Sequence, residues 1–144
     1  MKEYTKPILV VLVLLMVLGA VYTVWAFRTA EAKQDAIDSN FLSAVGGLGG
    51  CFGQKWEGID EESYEDNYIR FASFQNTIAE LYPHTSYYPD PDTGLVVDAL
   101  VRLEPTKDFS STLYSQVSYY IVQDFGNSEL MKETLEMLKE YMGE

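Results

Sequence analysis

Few residues in this chain are of types and spacings that do chemistry. Asp90, Asp92 and Gly94 repeat the opening of an oxygen-rich calcium loop, in which alternate acidic residues face one ion and a glycine makes the turn. Asp98 follows, but not at the distance where such a loop places its closing acidic ligand. Aspartate and glycine are also ordinary turn formers, so a plain turn is the preferred reading, with Asp90, Asp92 and Asp98 as the candidate cation ligands. Cys51 and His84 are the sole residues of their kinds. Nucleophilic catalysis needs such a pair within hydrogen-bond reach and a third group to orient the base, and neither residue sits in a motif that supplies one. One histidine and one cysteine do not make a zinc set. A carboxylate pair for glycosidase-type acid–base work is inevitable somewhere in so acidic a chain. Asp90, Asp92 and the group Glu61, Glu62 and Glu65 are the candidates.

The glycine-rich run 46–53 adds no cofactor motif. It has neither the GxGxxG register nor a Gly-Lys-Ser/Thr ending, and no strand is expected before it. Leu48-Gly49-Gly50-Cys51 looks like a lipid-attachment box, but such a cysteine directly follows a signal's apolar core and this one lies far beyond it. No cofactor is expected.

The elements that position these groups begin with residues 7–27, PILVVLVLLMVLGAVYTVWAF, which hold no charged side chain. About 20 apolar residues cross a bilayer core as a helix, and a helix satisfies its own backbone there. Tyr4 and Lys6 on one flank and Tyr22, Trp25 and Arg28 on the other have the makeup of interfacial anchor belts. A cleaved signal has an apolar core of about 7–15 residues ending in small ones. This core is longer and ends in bulky aromatics, and Ala30-Glu31-Ala32 is only a weak cleavage match, so an uncleaved signal-anchor is expected. Lys2 and Lys6 nearly balance Arg28 and Lys33. The α-amino group and the lack of a basic cluster after the span tip the reading toward the N-terminus inside and the C-terminal part extracytoplasmic.

Through Ser39 four basic residues balance four acidic ones, so the formal charge of −12 belongs to the remainder. Such a surface repels phosphate backbones and anionic headgroups, which argues against nucleic acid and for a domain standing off the membrane. A basic protein surface is the compatible partner. With Cys51 alone, no intramolecular disulfide exists. The thiol is read as a small buried residue, with cross-linking of two copies as the alternative.

Spacing predicts a short tail (1–6), the membrane helix (7–27), a helical stalk (28–45) ended by glycines, a Gly-rich linker (46–56) and an acidic domain (57–144). In the linker, Gly46, Gly49, Gly50 and Gly53 have small-xxx-small spacing and form a candidate packing face, with shallow membrane insertion as another reading. Asp60 caps a helix whose apolar series runs from Tyr64 to Tyr82, ending at Pro83. Segments 95–104 and 112–125 read as an antiparallel hairpin, with a third strand near 85–88; a helix capped by Ser110 or Ser111 is the alternative for the second. Asn127 or Ser128 caps a last amphipathic helix whose apolar face packs on the hairpin, and its Met131, Met137 and Met142 would also suit an adaptable protein-binding groove.

The expected fold is therefore α+β: a membrane helix with a stalk, then a small two-layer domain of helix, two- or three-stranded antiparallel sheet and C-terminal helix. The expected function is a non-catalytic, membrane-anchored protein-binding or scaffolding subunit, its partner another protein or itself. One alternative is a self-assembling envelope protein whose anchor–stalk–domain layout resembles pilin-like subunits, without the glutamate in the span and the processing site those show. The other is a membrane-tethered carboxylate enzyme.

Overall fold

The computed structural model describes residues 5–144, with side chains from residue 9 onward. The chain divides after Ala36 into two units. The first belongs to helix α1 (Thr5–Cys51), with Pro7 in its first turn, where a missing N–H costs nothing. Its apolar side chains point into solvent all round: Leu9 is 65 % exposed, Met16 76 % and Trp25 62 %. Thr23 and Thr29 return their hydroxyls to the carbonyls of Gly19 and Trp25, so neither leaves an unmet donor.

The second unit, Ile37–Glu144, takes up the end of α1 and wraps the remaining helices around it. Phe41, Ala44, Val45, Leu48 and Cys51 recur at helical spacing and are all buried. The Phe41 ring meets Tyr82, Tyr87 and Phe125 at centroid distances of 5.9, 6.0 and 5.1 Å. The expected acidic helix is present as α2 (Glu61–Leu81): Asp60 caps it by accepting from Ser63 N at 2.9 Å. Phe71 and Ile78 are its fully buried residues. The last helix, α6 (Ser128–Met142), is capped by Asn127, and Gly143 closes it with a left-handed φ of 78°.

The α+β expectation is overturned. No strand occurs among the described residues, and both hairpin segments are helical. Residues 95–104 fall mostly in α3 (Pro91–Arg102), which starts at an Asp90 cap with proline in its first turn. Residues 112–125 are occupied by α4 (Ser111–Ser115), a π-helical turn (Gln116–Tyr120) and α5 (Ile121–Gln123). Ser110 caps α4 by accepting from Leu113 N at 3.1 Å. Segment 85–88 is turn, not strand. The physical reason lies in the spacing. Leu113, Val117, Ile121 and Phe125 are four apart, which puts them on one face of a strand and also on one side of a helix. Strict spacing by four is too long for 3.6 residues per turn, and the wider π turn absorbs the excess and keeps all four buried.

Tertiary polar contacts fix the helix ends. Gln75 Nε2 donates to the carbonyls of Leu100 and Leu103, both at 2.8 Å, and so ends α3 against α2. Asp108 Oδ1 accepts from Trp56 N at 2.6 Å and Glu57 N at 3.1 Å, which joins the loop after α1 to the loop before α4. Asp38 accepts from Ser86 N at 2.9 Å and from its hydroxyl at 2.6 Å, pinning the turn after α2 to α1.

Candidate functional site

The three aspartates of the calcium reading are each engaged separately. Asp90 Oδ1 caps α3 by accepting from Thr93 N at 2.9 Å. Asp92 accepts from the Ser128 hydroxyl and lies 3.6 Å from Lys132 Nζ, and these two partners hold its carboxyl below the usual range. Asp98 pairs with Arg102 at 2.9 Å, one turn along the same helix. No group of three His, Cys, Asp or Glu side chains suited to a metal ion is present among the described residues.

Cys51 is the last residue of α1, and His84 lies in the turn after α2. The Cys51 carbonyl accepts from the Trp56 indole at 3.2 Å, and that indole packs on Tyr64 and Phe71 in the first half of α2. His84 closes the 3₁₀ turn that follows α2. Burial pushes the Cys51 thiol above its ordinary value, with Arg70 opposing, so it stays protonated at neutral pH. Glu61, Glu62 and Glu65 are exposed on the first turns of α2. Asp60 beside them is held low by the Ser63 backbone and hydroxyl hydrogen bonds, as befits a cap and not a proton donor.

Sequence reasoning missed a mixed groove. Lys107, Asp108, Ser110, Thr112, Glu140 and Tyr141 line an open space of about 630 Å³ together with Leu113 and Met137. Lys107 Nζ sits 5.0 Å over the Tyr141 ring, whose hydroxyl donates to the Lys107 carbonyl at 2.6 Å. The backbone N–H groups of Trp56 and Glu57 lower the Asp108 pKa, so this acid is held ionised. Tyr141 stacks on Phe109 at 4.3 Å, and burial raises its hydroxyl's pKa. Lys107 and Tyr141 are thirty-four positions apart, beyond the reach of any local signal.

The glycine run resolves into two kinds of position. The helix expected to stop at Gly46 continues to Cys51. A Cβ on Gly49 would lie 2.5 Å from Ser118 N, and one on Gly47 would lie 2.3 Å from the Phe74 ring. These two glycines let the π turn and α2 reach the α1 backbone, which offsets their poor helix propensity. A Cβ on Gly53, past the helix end, would lie a tight 3.1 Å from the Tyr114 ring, which would have to shift slightly. Gly50 faces open space, and a Cβ on Gly46 would lie 3.4 Å from Val122 and 3.8 Å from the Ser118 carbonyl oxygen. Gly46 and Gly50 floor a second groove of about 460 Å³, walled by Tyr114, Ser118, Tyr119 and Tyr120. Below the π turn, buried Gln116 donates to Thr134 at 3.0 Å, and Thr134 donates to the Leu130 carbonyl at 2.7 Å.

No family model, curated protein or solved structure matches this chain.

What the chain can do is thus read from its own surfaces, and the most distinctive is residues 9–27 of α1. At the end of that stretch, Tyr22 and Trp25 lie 6.2 Å apart, and Trp25 and Arg28 border a shallow apolar cleft. An amphipathic ring beside a cation suits the boundary between hydrocarbon and headgroups. Of the opposite flank, Tyr4 and the Lys6 side chain lie outside the described residues.

Proposed function

We propose that this chain is a single-pass, membrane-anchored, non-catalytic protein-binding or scaffolding subunit with an acidic helical domain. One observation carries the reading. The helix over residues 9–27 is apolar on every side, and none of that window is covered by the protein. A helix apolar all round is stable only inside something apolar, and its length matches the hydrocarbon core of a bilayer. The excess charge of the following domain keeps it off anionic headgroups. The absence of a basic cluster after Arg28 and Lys33 supports an extracytoplasmic domain. The non-catalytic reading is supported by the engagement of Asp60, Asp90, Asp92 and Asp108 in caps and loop ties. Of the glycine spacing, Gly49 is covered by the chain's own Ser118, while Gly46 and Gly50 stay open.

Solubilising native membranes in mild detergent tests binding. The reading expects an assembly heavier than one 16.3 kDa chain, and a monomer alone would overturn it. Protease added to intact cells tests orientation: loss of the domain is expected, and its full protection would reverse the topology.

A further inference from the structure

Phe109 stacks on one face of the Tyr141 ring at 4.3 Å, and Lys107 Nζ stands 5.0 Å over the ring. An aromatic face attracts cations through its negative quadrupole, so the chain's own ammonium shows what this ring accepts. Two carboxylates line the same groove. Asp108 commits Oδ1 to the N–H groups of Trp56 and Glu57, which leaves Oδ2 without a hydrogen bond among the described residues. The Glu140 side chain has neither a hydrogen bond nor an ion pair among them. Lys107 forms no ion pair with either acid. Leu113 and Met137 add apolar surface, and about 630 Å³ stays open beside these groups.

We infer that this groove seats a lysine or arginine side chain of a partner protein, and that Lys107 holds the place until the partner arrives. The inference rests on the protein-binding reading and names the partner's chemistry. Charge selects the occupant. Two carboxylates against one ammonium, in a chain of formal charge −12, disfavour an anion. Lys55 acts on Asp108 and Glu57 on Tyr141, one charge of each sign, so the balance stands. A second copy of the chain carries the same negative excess and is disfavoured with the anions. A metal ion finds no suitable group of three side chains among the described residues. A lysine or arginine offers its stem to Leu113 and Met137, and its cationic head to Glu140, Asp108 Oδ2 and the Tyr141 face. Lys107 can yield without moving its loop. Its backbone is tied to the Tyr141 hydroxyl through both N–H and carbonyl, at 3.2 and 2.6 Å, and only its exposed side chain has to swing away.

The test uses the full-length chain in discs of zwitterionic lipid at about 0.15 M salt, where exposed charges more than roughly 8 Å apart are largely screened. The probe is a fluorescein-labelled tetra-arginine peptide, followed by anisotropy. Saturable binding is expected, and none by a tetra-glutamate peptide with the same label. Glu140→Gln should weaken binding about fivefold, the scale of one exposed ion pair. Glu80→Gln removes the same charge at the end of α2 away from Tyr64 and Pro105, and should change binding by less than about twofold. Lys107→Ala should tighten binding about threefold by vacating the ring. Lys139→Ala should not, because Lys139 is two positions from both Met137 and Tyr141 and so lies across α6 from them. All four residues are exposed, so circular dichroism should show the fold intact. Absence of saturable binding, binding of the glutamate peptide, or equal losses in Glu140→Gln and Glu80→Gln overturns the inference, as does a Lys107→Ala gain no larger than that of Lys139→Ala. If the peptide fails while the native chain still migrates as a larger assembly in detergent, only this seat falls. A native chain that migrates alone overturns the protein-binding reading itself.

Discussion

Helix α1 does two jobs with two kinds of surface. Over residues 9–27 it is apolar on all sides and uncovered, whereas from Phe41 to Cys51 its buried positions form one stripe. The backbone hydrogen bonding is the same in both stretches, so only the side-chain pattern differs. A stripe is satisfied by the chain's own helices, but an apolar cylinder calls for a solvent the chain does not supply. The glycines follow the same division. Gly19 meets nothing, while Gly49 is where another backbone comes close.

Truncating Phe41 should show the contrast most strongly. Phe41→Ala removes a fully buried ring in contact with three others, and should lower the stability of the Ile37–Glu144 unit by about 3–5 kcal/mol in denaturant titration. Leu14→Ala should leave that titration unchanged, because Leu14 is 56 % exposed and belongs to the other unit. A comparable loss at Leu14 would mean that the apolar cylinder is packed on the domain after all.

The glycines sharpen the comparison at a single methyl. Gly49→Ala drives Cβ into the Ser118 backbone and should cost about 1–3 kcal/mol. Gly50→Ala, one residue on, meets nothing and should raise stability by about 0.5–1 kcal/mol through helix propensity. Thermal melts of the pair should therefore move in opposite directions. Equal shifts would mean that the π turn does not rest on Gly49.

The smallest effect is the acid dependence of the Asp108 tie. Two backbone N–H groups lower the Asp108 pKa in the fold relative to its ordinary 3.8. A depressed native pKa gives stability that is complete above the ordinary value and is lost as pH falls through the lowered one. The melting difference between the native chain and Asp108→Asn should thus be constant at neutral pH and shrink below about pH 4. A difference that persists at lower pH would assign the tie to geometry and not to charge.

What could be read from sequence follows the same physics. The apolar cylinder, the Asp60 cap and the Asn127 cap are local signals, and each element was legible. The second hairpin segment reads as a strand because spacing by four satisfies two periodicities at once, and the first because Val97, Ala99 and Leu103 alternate although Val96 and Leu100 are buried with them. The caps at Asp90 and Ser110 decide between them, and for α3 the Asp-Pro-Asp start was the available clue. The glycines were legible as unusual, but not as the seat of Phe74 and Ser118, whose partners lie far along the chain. The Lys107–Tyr141 groove and the groove over Gly46 and Gly50 likewise come from long-range packing that no window of sequence contains.

Residues 7–27 are proposed to stay in lipid in the mature chain. Membranes from cells expressing the native chain, washed at alkaline pH and followed by intact-mass measurement, test it directly. The protein should remain with the membrane, and its mass should include that segment. A chain released by the wash, or one whose mass begins near Ala32, would contradict it.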